Sequence, residues 1–347
     1  MQFCLAGRSV ARVLVAVLAP FVASQLRAAE YVLPVNGDKV VGAISIVVAE
    51  HEDTLLDIGR RFGVGYEEII VANPGIDPWL PGAGTEVLIP GRFILPDAPR
   101  EGVVVNLPEH RLYYYPPAQP GQPRVVRTYP ISTGKMDWKT PLGVTRVVAK
   151  QEKPNWYPPQ SVRLEHEQKG DPLPPFIPPG PDNPLGEHVL RLGLPGGSYL
   201  IHGTNRPAGV GMQVTHGCIR LFPEDIAELY SMVPVNTKVN LVDQTTKAGW
   251  SRGGLFVERQ APLEGTGNPA HLDPAELDRV IKAATVGRES MVDWNMARLV
   301  FQQATSVPVR IGEHVLPRLP AVAPAAEPAM EPAEEPAVAQ ELTSAAW

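Results

Sequence analysis

Apolar and polar residues alternate differently in three regions of the chain. Residues 44–90 open with ISIVVA (Ile44–Ala49), a β-branched run that predicts a strand. After His51-Glu52-Asp53-Thr54, in which Asp53 or Thr54 can cap, Leu55, Ile58 and Phe62 recur at helical spacing. Gly63 and Gly65 interrupt that run. Tyr66, Ile69 and Ile70 begin a second short helix, which Asn73-Pro74-Gly75 ends. TEVLIP (Thr85–Pro90) predicts a closing strand, so 44–90 reads as one small β-α-α-β module.

Residues 101–243 change period from helical to strand-like. VVVNLPEHRLYYY (Val103–Tyr115) and RVVRTYPIST (Arg124–Thr133) predict strands joined by the turn-forming PPAQPGQP. Val144–Lys150, His188–Gly193, Ser198–Gly203 and Val239–Asp243 add more. Pro223–Met232 carries Ile226, Leu229 and Tyr230 as a helical stripe, with Asp225 near its start. Ten prolines between 154 and 186 exclude a regular core element and predict a long structured loop or lid. Beyond 244, Gly249–Gly254 reads as a linker and LFVERQAPL as a short strand. Helices are predicted at Asp273–Ala284, capped by Asp273 with Pro274 next, and at Glu289–Ala304. The fold class expected is α+β and modular, with a partly helical extension over 250–319.

Composition adds three things. The 347 residues suffice for about two domains. The net charge of −6 excludes general nucleic-acid binding. Part of that charge is local: 320–347 is rich in Ala, Pro and Glu, lacks Lys and Arg, and predicts a disordered tail. At the other end, Arg8 and Arg12 precede the apolar run Val13–Ala23 and the small residues before Glu30. This order predicts a signal peptide over 1–29, cleaved between about 24 and 29. The run is about half of the ~20 residues a membrane span needs, so no span is expected after removal.

Removal of that segment takes Cys4 and leaves one cysteine, Cys218, in VTHGCIRL (Val214–Leu221). A lone thiol in an oxidising compartment points to a reactive group or to intermolecular pairing. The thiolate is the nucleophile, and a nearby imidazole can take its proton or pair with it. His216 is two residues away, and His202 ends a predicted strand sixteen residues upstream; spacing alone leaves both open. Acyl transfer also needs oxyanion donors, for which the amides at Gly217 and Cys218 are candidates. Two histidines and a cysteine lack a fourth zinc ligand at a convincing spacing, and neither a metal cluster nor a phosphate-binding glycine loop is present. No cofactor is expected.

Two resemblances follow. The strand before Glu52-Asp53-Thr54-Leu55, then Ile58, Phe62, Ile69, Asn73 and Val87-Leu88-Ile89-Pro90, resembles a LysM module. That resemblance implies binding to peptidoglycan glycan strands, with Asp53, Thr54, Asn73 and Gly75 as contact residues. Ile201-His202-Gly203-Thr204-Asn205 with Thr215-His216-Gly217-Cys218-Ile219-Arg220-Leu221 resembles the L,D-transpeptidase catalytic domain of YkuD type. Ser132-Thr133-Gly134, Thr140-Pro141-Leu142-Gly143 and Gly180–Gly186 support it.

The second resemblance implies a β-rich, sandwich-like catalytic fold over 101–243. Cys218 would be the nucleophile, His202 its base and the Gly203 carbonyl the group orienting that base. His216, Gly217 and Thr215 would lie on the oxyanion side. Arg220, Thr215, Asn205 and Trp156 would face substrate. The implied reaction joins a peptidoglycan stem tetrapeptide to an amine, on a neighbouring stem or on an outer-membrane lipoprotein, in the periplasm. Hydrolysis by the same cysteine, as an L,D-carboxypeptidase, and a non-catalytic peptidoglycan-binding role are the alternatives.

Overall fold

The computed structural model describes residues 29–135, 140–195, 199–265 and 272–314. The predicted leader up to residue 28, including Cys4, and the predicted tail 320–347 lie outside them. The chain enters through β1 (Ala29–Val32) and β2 (Val40–Gly42) before reaching the small unit. There β3 (Ser45–Val48), α1 (Leu55–Arg61), α2 (Tyr66–Ala72) and β4 (Glu86–Ile89) follow in order, with β3 and β4 paired antiparallel. Thr54 caps α1, its hydroxyl accepting from the Asp57 amide at 3.1 Å. Leu55, Ile58, Ile69, Val87 and Ile89 form the unit's own core. β5 (Arg92–Ile94) pairs with β2 and leads out.

The next stretch builds the main sheet. β6 (Gly102–Asn106) and β7 (Arg111–Tyr115) form a hairpin around a turn at Leu107–His110, which splits the run expected as one strand. β8 (Val125–Pro130), β9 (Thr133–Gly134) and β10 (Gly143–Glu152) follow. Within the proline-rich segment, expected as a long structured loop or lid, the chain forms α3 (Gln160–Gln168); the nine residues lie in a proline-free run from 160 to 171. Then come β11 (His188–Leu192), β12 (Leu200–His202), β13 (Gln213–Thr215), β14 (Ile219–Arg220), α4 (Pro223–Met232) and β15 (Lys238–Val242).

The sheet has nine strands in the order β1-β8-β7-β6-β15-β10-β11-β12-β14. β6 and β15 run parallel, as do β12 and β14. Val103, Val105, Tyr114, Ile201, Ile219 and Leu241 fill the inner face together with Ile226 and Leu229 of α4. Val104, Tyr113, Tyr115 and Val126 alternate to the outer face, where Leu33, Val41 and Phe93 cover them. Strands buried on both faces explain the unbroken apolar reading of Val103–Val105. The sheet curls until Ser132, just beyond β8, bridges Arg220 in the far edge strand through backbone bonds of 2.8 and 3.1 Å.

The C-terminal part corrects one expectation. Gly249–Gly254 is not a linker: β16 (Thr246–Ser251) and β17 (Gly254–Arg259) form a tight hairpin across Arg252-Gly253. Both turn residues have positive φ, 47° and 78°, the geometry two-residue hairpins require. The glycines that suggested flexibility serve this turn and close packing. α5 (Pro274–Thr285), β18 (Ser290–Val292), α6 (Trp294–Gln303) and β19 (Val309–His314) complete a four-stranded sheet backed by two helices. Its core holds Trp250, Leu255, Leu277, Ile281 and Phe301.

Candidate active site

Parallel pairing of β12 with β14 sets Ile201 beside Ile219 and His202 beside Arg220. Both isoleucines point into the inner core, so His202 and Arg220 occupy the opposite face. Cys218 directly precedes β14, two residues before Arg220. The sequence leaves two histidines open as partners for the thiol; the register puts His202 opposite Arg220, two residues beyond Cys218.

The His202 ring is buried, and its Nδ1 lies 2.6 Å from the Gly203 carbonyl oxygen. A carbonyl can only accept, so Nδ1 carries the proton and Nε2 keeps its lone pair. Burial pushes the ring down to about 3 and nearby Arg220 adds to this, while hydrogen bonds to the Gly203 and Leu185 carbonyls work in the other direction. Burial likewise pushes the Cys218 thiol up, opposed by a backbone bond from Leu200 and by the Arg220 charge. Both groups are therefore neutral at rest near pH 7.

The turn carrying the thiol is fixed from two sides. Gly217 has φ +94°, a conformation that favours glycine. Thr215 Oγ1 donates to the Cys218 carbonyl at 2.5 Å, and Thr140 Oγ1 donates to the Gly217 carbonyl at 3.0 Å. His216 is half-buried, with Nε2 3.3 Å from Glu165 Oε2 on α3. Lys169 and His216 bond that carboxylate and, with the Lys135 charge, hold it at about 2. Burial lowers His216, and Glu165 opposes the shift. Glu165 escaped the sequence reading because its helix did; the proline-free run was the available signal.

The lid has its own anchor. Asn183 is fully buried; its Nδ2 donates to the Pro154 and Pro178 carbonyls at 2.7 and 3.1 Å, and its Oδ1 accepts from the Leu185 amide at 2.9 Å. Asn205 is exposed and donates to the Asp182 carbonyl at 3.1 Å, so it ties down the lid. Trp156 is half-buried and exchanges two backbone bonds of 2.8 Å with Ile177. The predicted glycan residues sit far along the chain, in the small unit. Asp53 accepts from the Glu50 amide and pairs with Arg61. Thr54 is spent as a cap, and Gly75 is exposed at φ +85°. Asn73 is buried with its amide bonded to the Ile69 and Leu88 backbone, so it braces the unit instead of facing solvent. Among the described residues, no group of three or more His, Cys, Asp or Glu side chains is placed to hold a metal ion.

Comparison with known proteins sets these residues in a family. The model of YkuD, the L,D-transpeptidase catalytic domain, matches residues 100–241. The probable L,D-transpeptidase YcfS of Escherichia coli K12 is 38% identical over 287 residues, covering 81% of this chain and 88% of that protein. This chain is a member of the L,D-transpeptidase family. The probable L,D-transpeptidase ErfK/SrfK of the same strain is also 38% identical, over 82% of this chain and 91% of its own length. The probable L,D-transpeptidase YbiS is 35% identical over 83% and 94%. In this L,D-transpeptidase the matched catalytic region contains His202, Cys218, Glu165 and the lid. The β3-α1-α2-β4 unit precedes it in the chain. No helix among the described residues is long and apolar enough to cross a membrane.

Proposed function

We propose that this L,D-transpeptidase works through a thioester on Cys218, with His202 as proton carrier. The observation that supports this reading is the β12–β14 register, in which His202, its Nδ1 bonded to the Gly203 carbonyl, stands opposite Arg220, two residues beyond Cys218. The thiol proton passes to Nε2 as sulfur attacks the carbonyl between the third residue of a stem tetrapeptide and its terminal D-Ala. The tetrahedral oxyanion forms beside Gly217 and Cys218. Their own carbonyls are occupied by Thr140 and Thr215, which keeps competing lone pairs away from it. Collapse breaks the C–N bond, and His202 returns the proton to the departing D-Ala amine. An acceptor amine then attacks the thioester, gives its proton to His202, and the thiol is restored. Arg220 Nε is buried without a hydrogen-bond partner among the described residues, a donor suited to a substrate carboxylate.

The test is intact mass after incubation with a carbapenem. One adduct is expected on the natural chain and none on Cys218→Ala; an adduct that survives this substitution overturns the assignment. Whether the acceptor is a neighbouring stem, a lipoprotein lysine or water is decided by muropeptide analysis with and without the gene. Loss of stem-to-stem 3→3 dimers with lipoprotein attachment intact would remove the anchoring route.

The small unit is read as a LysM module holding peptidoglycan glycan strands, and export to the periplasm as the work of the leader. Its strand-helix-helix-strand order with paired ends supports the first reading. So does a cleft of about 220 Å³ lined by Thr54, Asp57 and the exposed Trp79 of the small unit and by Pro207 and Phe222 of the catalytic part. Sugar rings stack readily on such an indole. Retention on purified sacculi is the direct measurement.

A further inference from the structure

The small unit does more than sit beside the catalytic part. The first two amides of α2, at Tyr66 and Glu67, donate to the carbonyls of Val210 and Gly211 at 3.0 and 3.3 Å. Helix-start amides have no partners within their own helix, so here they draw in a segment of another part of the fold. Gly65 and Gly211 meet backbone to backbone: a Cβ at 65 would lie 2.8 Å from Gly211 Cα, and one at 211 would lie 2.2 Å from the Tyr66 nitrogen. Two bidentate ion pairs flank the contact. Glu68 joins the fully buried Arg111 of β7 at 2.8 and 2.6 Å, and Arg60 joins Glu224 of α4 at 2.7 and 2.8 Å.

The segment so held, 207–212, connects His202 to Cys218. Its far side is bonded as well: Ser132 Oγ donates to the Gly209 carbonyl at 2.7 Å and the Thr133 amide to Met212 at 3.2 Å. From Met212 the chain runs straight into β13, whose Thr215 hydroxyl holds the Cys218 carbonyl. The contacts are thus continuous from α2 to the turn bearing the thiol.

We propose that residues 65–68 of the small unit are positioning residues for the catalytic turn, acting through Val210 and Gly211. The proposal rests on the thioester reading given above. Displacing the 207–212 loop moves β13 and with it the Thr215–Cys218 contact on the oxyanion side, where charge develops in the chemical step. The effect therefore falls on the chemical step rather than on binding.

The experiment uses the full chain. Gly65→Ala is the decisive variant, because φ at 65 is −80° and alanine adopts it freely, leaving the clash with Gly211 as its main effect. Val71→Gly, on the exposed side of α2, weakens the same helix without touching the loop. The readouts are the maximal rate and half-saturating concentration for carbapenem adduct formation, and amide exchange over 207–215. Gly65→Ala should lower the maximal rate about tenfold, leave half-saturation within about twofold, and speed exchange over 207–215. Val71→Gly should do none of these at a comparable loss of thermal midpoint. Wild-type rate and exchange in Gly65→Ala, or equal losses in Val71→Gly, overturn the proposal. Should Gly65→Ala fail to fold, Arg60→Gln loosens the same seat without adding atoms. It must show the same pattern at smaller size, and normal rate and exchange there overturn the proposal too. If the natural chain takes no adduct, the thioester reading fails, and exchange over 207–215 alone decides the positioning role.

Discussion

At the scale of single residues, the histidine of this site is set up to receive a proton rather than to store one. Burial holds the free ring of His202 at about 3, far below the usual 6.5. The acid limb of carbapenem acylation should therefore not fall near pH 6.5. The rate is expected to stay flat from pH 7 to 5 and decline only below that, as the ring becomes protonated. A limb centred at pH 6 to 7 would mean that His202 is solvated or that another group serves as base. The same burial favours a neutral thiol and neutral imidazole over a standing ion pair, which also guards the thiol against casual oxidation.

At the scale of elements, the arrangement around Arg111 shows what a clamp between units is worth. Its guanidinium is fully buried and bonds Glu68, Thr128 and the Gly63 carbonyl. Arg111→Ala strands the Glu68 carboxylate and should cost about 3–5 kcal/mol in denaturant unfolding. A loss under 1 kcal/mol would show that the two units are only loosely joined. Local elements of this kind were readable from sequence. α4 coincides with the predicted Pro223–Met232, and Asp273 caps α5 through the Ala275 amide. Pairing was not readable. Nothing local in Ile201-His202 or Ile219-Arg220 states that the two segments run parallel, since register arises from contacts far apart in the chain. Gly249–Gly254 misled because glycine marks flexible linkers and tight hairpins alike, and only the partner strands distinguish them. Proline density hid α3 in the same way.

At the scale of the whole molecule, one lysine joins three parts. Lys247 on β16 reaches Glu109 in the β6–β7 turn at 2.7 Å, Glu258 on β17 at 2.8 Å, and the Ile94 carbonyl at 2.6 Å. All three charged side chains are buried. Burial pushes Glu258 upward, and the lysine beside it opposes the shift. Lys247→Met leaves two carboxylates together without a cation and should destabilise the chain by about 3–5 kcal/mol at pH 7. The penalty should shrink at pH 5, where protonation relieves the carboxylates; a penalty independent of pH would count against this account. The seam between Ser132 and Arg220 has a further consequence. It joins positions 88 residues apart, and the turn carrying the proposed nucleophile, Cys218, lies at that closure. A nascent or half-assembled chain thus carries its sulfur without the machinery to use it, so reactivity doubles as a certificate that assembly has finished.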